Sequence, residues 1–254
     1  MEGLGATALV GSLFDLAFVT KAFKGAEVVY TMIPPIWQTK NWQASQLEVA
    51  QNYIDALKAN NIKYVVNLSS IGAHLTEGVG PVNAMHDFEQ LLNKVDGLNA
   101  KHLRPSSFYY NLLNQIGLIK QAGIMGANYG DGENKLAFVH TDDIARTAVE
   151  ELLDLNFKGN SIRYIVSDLR TSKEIATILG KAIGKEIPWV VFTDEQQKDG
   201  MLKAGVPESH AGPLTEMGAA VRTGKMQEEI INKPATGSIK LEDFAKEFAA
   251  AYNS

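Results

Sequence analysis

Apolar runs closed by glycine or proline alternate along this chain with stretches whose apolar positions recur every three to four residues. Residues 6–10 are a short apolar run between Gly5 and Gly11 and predict a buried strand; a helix is expected over 15–23, stopped by Gly25. Residues 27–33 predict a second strand, ended by Pro34-Pro35 because proline cannot donate to a ladder. Leu47, Ala50, Ile54 and Leu57 then mark one face of a helix, and Tyr64-Val65-Val66-Asn67-Leu68 a third strand. Met85, Phe88, Leu91 and Leu92 stripe the next helix, residues 101–103 read as a short strand before Pro105, and 136–139 as another before a helix capped by Thr141 or Asp142. Strands alternating with helices in this order predict an α/β domain with a mostly parallel sheet.

From residue 169 onward the pattern changes. Thr171-Ser172-Lys173-Glu174 is a capping-box sequence, opening a helix with Ile175, Ile178, Leu179 and Ile183 inward and Gly184 as its stop. A strand is expected over 187–192, then polar helical sequence over 193–233 broken at Pro207, Pro213 and Gly224. Leu241, Phe244, Ala245 and Phe248 stripe a last helix docked on the body. The expected organisation is a domain over 1–168 followed by a smaller α+β lobe over 169–254.

The chain of 254 residues, with 45% hydrophobic and 21% charged content, is long enough to bury a full core and too apolar to be disordered. A net charge of −5 argues against a nucleic-acid partner. Cysteine is absent, which removes disulfides, thiol catalysis and thiolate metal sites and fits a cytoplasmic location. No run of apolar residues reaches the length of a membrane span. The five histidines (His74, His86, His102, His140, His210) include no H-x-x-x-H pair, so no metal is expected. No G-x-S-x-G elbow occurs either.

Several segments together resemble the NmrA-like branch of the atypical short-chain dehydrogenases: Gly11-Ser12-Leu13-Phe14-Asp15, Met32-Ile33-Pro34-Pro35, Asn67-Leu68-Ser69-Ser70, His86-Asp87-Phe88-Glu89-Gln90, Leu103-Arg104-Pro105 and Phe138-Val139-His140-Thr141-Asp142-Asp143-Ile144-Ala145. The resemblance continues through the tail to Ala204-Gly205-Val206-Pro207. It implies a Rossmann-type fold that binds NADP or NAD. It also implies that residues 6–10 correspond to the third family strand, so that the βαβα unit carrying the G-x-x-G-x-x-G phosphate turn would precede them. Strands one and two lie between three and four in that order, so residues 6–10 would lack a neighbour unless they slide against residues 27–33. The expectation is a truncated domain with impaired cofactor binding.

By the same resemblance, Met32, Ile33, Pro34 and Pro35 close the strand facing the adenosine side, and Ser69, Met85, Pro105 and Phe108 complete the cofactor contacts. Tyr109, Tyr110 and Asn111 would line a substrate cavity, and Ser69 and His86 are the candidate catalytic groups. Each has a plainer reading: Ser69 and Ser70 as turn caps before Gly72, His86 as a surface partner of Glu89, the aromatics after Pro105 as wall, and Asp142-Asp143 as helix capping. The Tyr-x-x-x-Lys pair of ordinary short-chain dehydrogenases has no counterpart. Met85 and Pro81 occupy its places in one register, His86 and Val82 in the next. Three functions follow: a reductase of a small electrophile such as a quinone, a nucleotide-sensing regulator with a protein partner, or a remnant that has lost the cofactor.

Overall fold

A computed structural model describes residues 2–254. In chain order its elements are α1 (Leu16–Ala22), β1 (Val28–Met32), α2 (Trp42–Ala59), β2 (Tyr64–Leu68), α3 (Val82–Asn93), β3 (Asn99–Pro105), β4 (Ser107–Phe108), α4 (Ile116–Ala122), β5 (Met125–Ala127), β6 (Lys135–Val139), α5 (Thr141–Asp154), β7 (Asn160–Ile165), β8 (Asp168–Thr171), α6 (Ser172–Ala182), β9 (Trp189–Val191), α7 (Asp194–Lys203), α8 (Glu208–Arg222) and α9 (Leu241–Asn253). Short 3-10 segments lie at Tyr109–Gln115 and Lys225–Gln227.

Strands β1, β2, β3 and β7 form a parallel sheet in that order. Polar side chains pin its register from within. Thr31 donates to Asn67 at 3.0 Å, Asn67 meets His102 at 3.3 Å, and His102 meets Asn93 at 2.8 Å, across strands paired Thr31 to Asn67 and Asn67 to His102. A one-residue slip would break all of these bonds and turn each strand's apolar set to the wrong face. Helices α1, α2 and α3 cover one face around Val29, Val49, Tyr53, Val65 and Phe88. Helix α5 covers the other through Ile144 and Ala148, packed on Val66, Leu103 and Ile165. A third core, of Tyr109, Phe138, Leu179, Phe244 and Phe248, joins α6 and α9 to the body.

Local chemistry explains the helix starts. Asp15 accepts the N–H groups of Ala17 and Phe18, and Asn41 that of Ala44. At α6 the full capping box forms, and Gly184 follows with φ of 68°, where a side chain would be strained.

Three expectations need correction, and four strands were not expected at all. Residues 6–10 form no strand. They run exposed and unpaired, and do not slide against β1, whose outer edge carries no strand among the described residues. An apolar run makes a strand only where a partner takes up its N–H and C=O groups. Helix α5 is capped by neither Thr141 nor Asp142 but by His140, whose Nδ1 accepts the Asp142 N–H. Pro213 does not break its helix: α8 runs through it from Glu208 to Arg222. Finally, β4, β5, β7 and β8 carry no clear period in the sequence and form by pairing with distant partners; β8, for example, lies antiparallel to β6.

Candidate functional site

The parallel register sets Met32 beside Leu68 and Leu68 beside Leu103. The chain therefore leaves β1, β2 and β3 along one edge of the sheet, where ligands bind in open α/β folds. The Ser69 N–H binds Leu103 O at 2.8 Å, Ile71 N–H binds Pro105 O at 3.0 Å, and Ser106 N–H binds Ile165 O at 3.0 Å, so the edge is stitched across β2, β3 and β7. Residues Met32–Pro35, Ser69 and Pro105 thus lie along the same edge. Met32 and Pro35 are exposed, Pro34 is half-buried, and Ile33 is sealed in the core beneath them. The Ser106 hydroxyl is buried without a hydrogen-bond partner among the described residues.

The two candidate catalytic groups are tied into the protein. Ser69 donates its hydroxyl proton to Glu89 at 2.5 Å. Glu89, 1% exposed, also takes a bidentate pair of bonds from Arg104, 4% exposed, at 3.0 and 2.7 Å. Arg104 reaches on to the Tyr164 hydroxyl and to Glu229, each at 3.0 Å, and Tyr164 bonds Glu229 in turn. Burial alone would lower the guanidinium pKa, but the bonds and charge of Glu89 outweigh it and hold Arg104 firmly protonated. A serine whose proton is committed in this way cannot also donate to a substrate carbonyl. His86 does not pair with Glu89, which corrects the surface-pair expectation. Its Nδ1 lies 2.9 Å from the Ala73 carbonyl, holding the loop after β2, while Glu89 faces inward to Arg104.

Of the other predicted residues, Met85 is half-buried between the α3 side of the main core and the loop after β2. Phe108 packs toward α5. Tyr109 points into the third core, stacked on Phe138 at 5.7 Å and Phe244 at 5.4 Å. Burial first, and the nearby Asp168 carboxylate second, raise its phenol pKa, so it stays protonated. It is wall, whereas Tyr110 is exposed. Asn111 does line a cavity, of about 100 Å³, with Ile71, Leu112, Phe138, Met217 and Met226. The lining is mainly apolar, and the Gln115 and Gln227 carboxamides there are both engaged by backbone groups.

Sequence reasoning did not find the wall contributed by Met217, Val221 and Met226, because α8 and the turn after it reach the cavity only through tertiary packing. It also missed the Glu89–Arg104 pair. The available signal was weak, because α3 also carries Asp87 and β3 also carries Lys101, so nothing local singles out Glu89 and Arg104. The Asp142-Asp143 pair proves divided. Asp142 is exposed, while Asp143 is buried and accepts from Ser167 at 2.6 Å, Ser238 at 3.2 Å and the Ile239 N–H at 3.1 Å.

A family model described as NAD(P)H-binding matches residues 1–155. The NAD(P)H azoreductase of Xenophilus azovorans is 24% identical over 257 residues, which cover 100% of this chain and 86% of that protein. Among solved structures, the NADPH-dependent quinone oxidoreductase of Escherichia coli complexed with NADPH superposes with a TM-score of 0.78 at 20% identity, covering 97% of this chain and 84% of that one. The triphenylmethane reductase of Citrobacter sp. complexed with NADP(H) gives 0.77 at 18% identity, covering 98% and 85%. At these identities the superpositions establish a shared fold.

Proposed function

The chain belongs to the NAD(P)H-binding family, and from that premise we propose that it serves as an oxidoreductase passing hydride from NADPH or NADH to a small electrophile, with quinones the first class to test. The observation that carries this reading is the common edge at which parallel β1, β2 and β3 end, flanked by the cavity that Asn111 lines. The residues there suit a bound dinucleotide. Met32, Pro34 and Pro35 offer apolar contact on the adenosine side, and Pro105 ends β3 along the same edge. Bound reduced nicotinamide supplies the hydride. The chain's own part is to orient the electrophile against an apolar wall and keep water from it.

No side-chain acid of the Tyr-x-x-x-Lys kind is available, and Ser69 is committed to Glu89, so the reading requires an acceptor whose reduced form takes its proton from solvent. Quinones meet that requirement. The G-x-x-G-x-x-G turn, which would give backbone N–H groups to the pyrophosphate, does not occur in the sequence. Weak dinucleotide affinity is therefore expected of these 254 residues on their own.

NADPH and NADH titrations followed by tryptophan fluorescence test this, since Trp37 and Trp42 follow the Pro34-Pro35 turn. Shallow quenching together with slow quinone-dependent NADPH oxidation is the expected result. Tight, micromolar binding would overturn the weak-affinity reading. One observation favours the sensor alternative: the serine is structurally spent. That alternative requires saturable cofactor binding with no oxidation across a quinone panel.

A further inference from the structure

The cavity of about 100 Å³ beside the sheet edge is walled mainly by apolar side chains, and among the described residues no Asp, Glu, Lys, Arg or His lines it. Its polar side chains divide into two groups. The Gln115 and Gln227 carboxamides are taken up by backbone groups of Gly126, Ala137 and Lys135. The side chains of Ser107, Asn111 and Tyr129 bond no protein group among the described residues. Asn111 is exposed to solvent, and Ser107 is part-buried on β4. Tyr129 is the deep one. Burial raises its phenol pKa, yet its hydroxyl is not sealed from solvent as those of Ser106 and Tyr109 are. A hydroxyl that lies deep and is still open faces an internal space, and the space that Tyr129 lines is this cavity.

Both flanks of Tyr129 are fastened. Asn128, 1% exposed, donates through Nδ2 to Asp194 at 2.8 Å and to the Thr215 carbonyl at 2.9 Å, and its own carbonyl accepts from Arg222 at 2.9 Å. On the other side Gly130 has φ of 99°, where a side chain would be strained, and its carbonyl accepts the Trp189 indole N–H at 3.2 Å. The phenol is thus carried on backbone tied to α7, α8 and β9. A fixed donor in an apolar space is worth more than the same donor in water, because no solvent competes for the acceptor. The raised pKa keeps the hydroxyl protonated, and so a donor, at neutral pH.

We propose that the Tyr129 hydroxyl holds the carbonyl oxygen of the electrophile, which makes the cavity selective for an uncharged aromatic ketone or quinone and makes Tyr129 a catalytic residue. The catalytic half rests on the reductase reading; the binding half does not. As the acceptor takes up hydride from the reduced nicotinamide, its carbonyl π pair moves onto the oxygen, and the bond from Tyr129 strengthens against the growing charge. The phenol keeps its proton. The reduced anion takes one from water, so no side-chain acid is consumed.

Acetophenone and α-methylstyrene have nearly the same shape, with the C=O of one replaced by C=CH2 in the other. Titrated into the full chain without cofactor and followed by saturation-transfer NMR, acetophenone should bind saturably and about tenfold more tightly than the alkene. Intermolecular NOEs from acetophenone to the Tyr129 ring place the ligand without any variant. Y129F, which removes only the hydroxyl, should lose that tenfold and leave the alkene unchanged, with circular dichroism confirming its fold. In quinone-dependent NADPH oxidation it should lower kcat/KM by about tenfold or more, mostly through kcat, because the bond strengthens as charge develops. Absence of saturable acetophenone binding, no preference over the alkene, no NOE to Tyr129, or unchanged acetophenone affinity in folded Y129F would each overturn the proposal. Unchanged quinone turnover in Y129F would overturn the catalytic half. A parent chain that shows the binding difference but oxidises no NADPH would instead sink the reductase reading and leave the carbonyl site standing.

Discussion

At the scale of single residues, the buried charges carry the clearest consequences. Arg104 and Glu89 satisfy each other through two bonds, and removing one partner strands the other in the core. R104M is expected to cost about 3–5 kcal/mol in urea unfolding. S69A removes one bond to Glu89 and should cost about 1 kcal/mol. Because the Ser69 proton is already committed, turnover per folded molecule should survive S69A, and a collapse of turnover with the urea midpoint unmoved would restore the catalytic reading. Asp143 gives a pH signature. Burial alone would raise its pKa, but bonds from Ser167, Ser238 and Ile239 outweigh it and hold the value below the ordinary carboxylate range. Its contribution is therefore complete above the unfolded-state pKa of about 3.9 and fades as pH falls through the depressed folded-state value. D143N should lower stability at neutral pH and flatten the acid limb of the stability profile, measured as urea midpoints between about pH 2 and 6. Sequence revealed that Asp142 and Asp143 open a helix. It could not reveal which carboxylate turns inward, because that depends on Ser167 and Ser238 arriving from elsewhere in the chain.

At the scale of elements, what was legible was local. The capping box at α6 is written in four consecutive residues and forms in full, the Glu174 N–H meeting Thr171 Oγ1 at 3.1 Å and the Thr171 N–H meeting Glu174 Oε2 at 2.7 Å. T171A should cost about 1 kcal/mol by thermal or urea melting, while T171S stays close to the parent. The strands with strong apolar runs, β1, β2 and β6, were equally plain. Residues 6–10 have the same composition and fail, because apolarity states only that a segment can be buried, not that a neighbour exists to bury it. The missed strand β5 is three residues long and exists through pairing with β9, which the sequence did indicate. Pro213 misled for a related reason: proline disfavours a helix interior, yet tertiary packing around α8 overrides that preference.

At the scale of the whole molecule, the C-terminal helices close over the loops at the sheet edge, and the fit is tight at a few backbone positions. Gly80 has φ of 58°, and a Cβ there would overlap the carbonyl oxygen of Pro213 on α8. G80A should therefore destabilise by more than about 1 kcal/mol and raise amide exchange across α8 more than across β2. A uniform change in exchange over both would argue against a local wedge. The far side of that packing is fastened by Arg222 and Asp194, bonded at 2.7 and 3.0 Å, which with Asn128 draw the Asp194 carboxyl down to about 2. No helix among the described residues is long and apolar enough to cross a membrane. The sequence by itself determined the alternation of elements, the parallel α/β class, the inward stripes of α2, α3, α6 and α9, and a family resemblance with which NAD(P)H-binding membership agrees, because these rest on periodicity and on motifs read from neighbouring residues. Only the tertiary structure decided that the Ser69 proton belongs to Glu89, that Tyr109 is wall, that α8 supplies the cavity's far side, and that residues 6–10 stay unpaired. Those outcomes depend on which distant groups meet, and pairing across the fold is fixed by packing and hydrogen-bond satisfaction rather than by any local pattern.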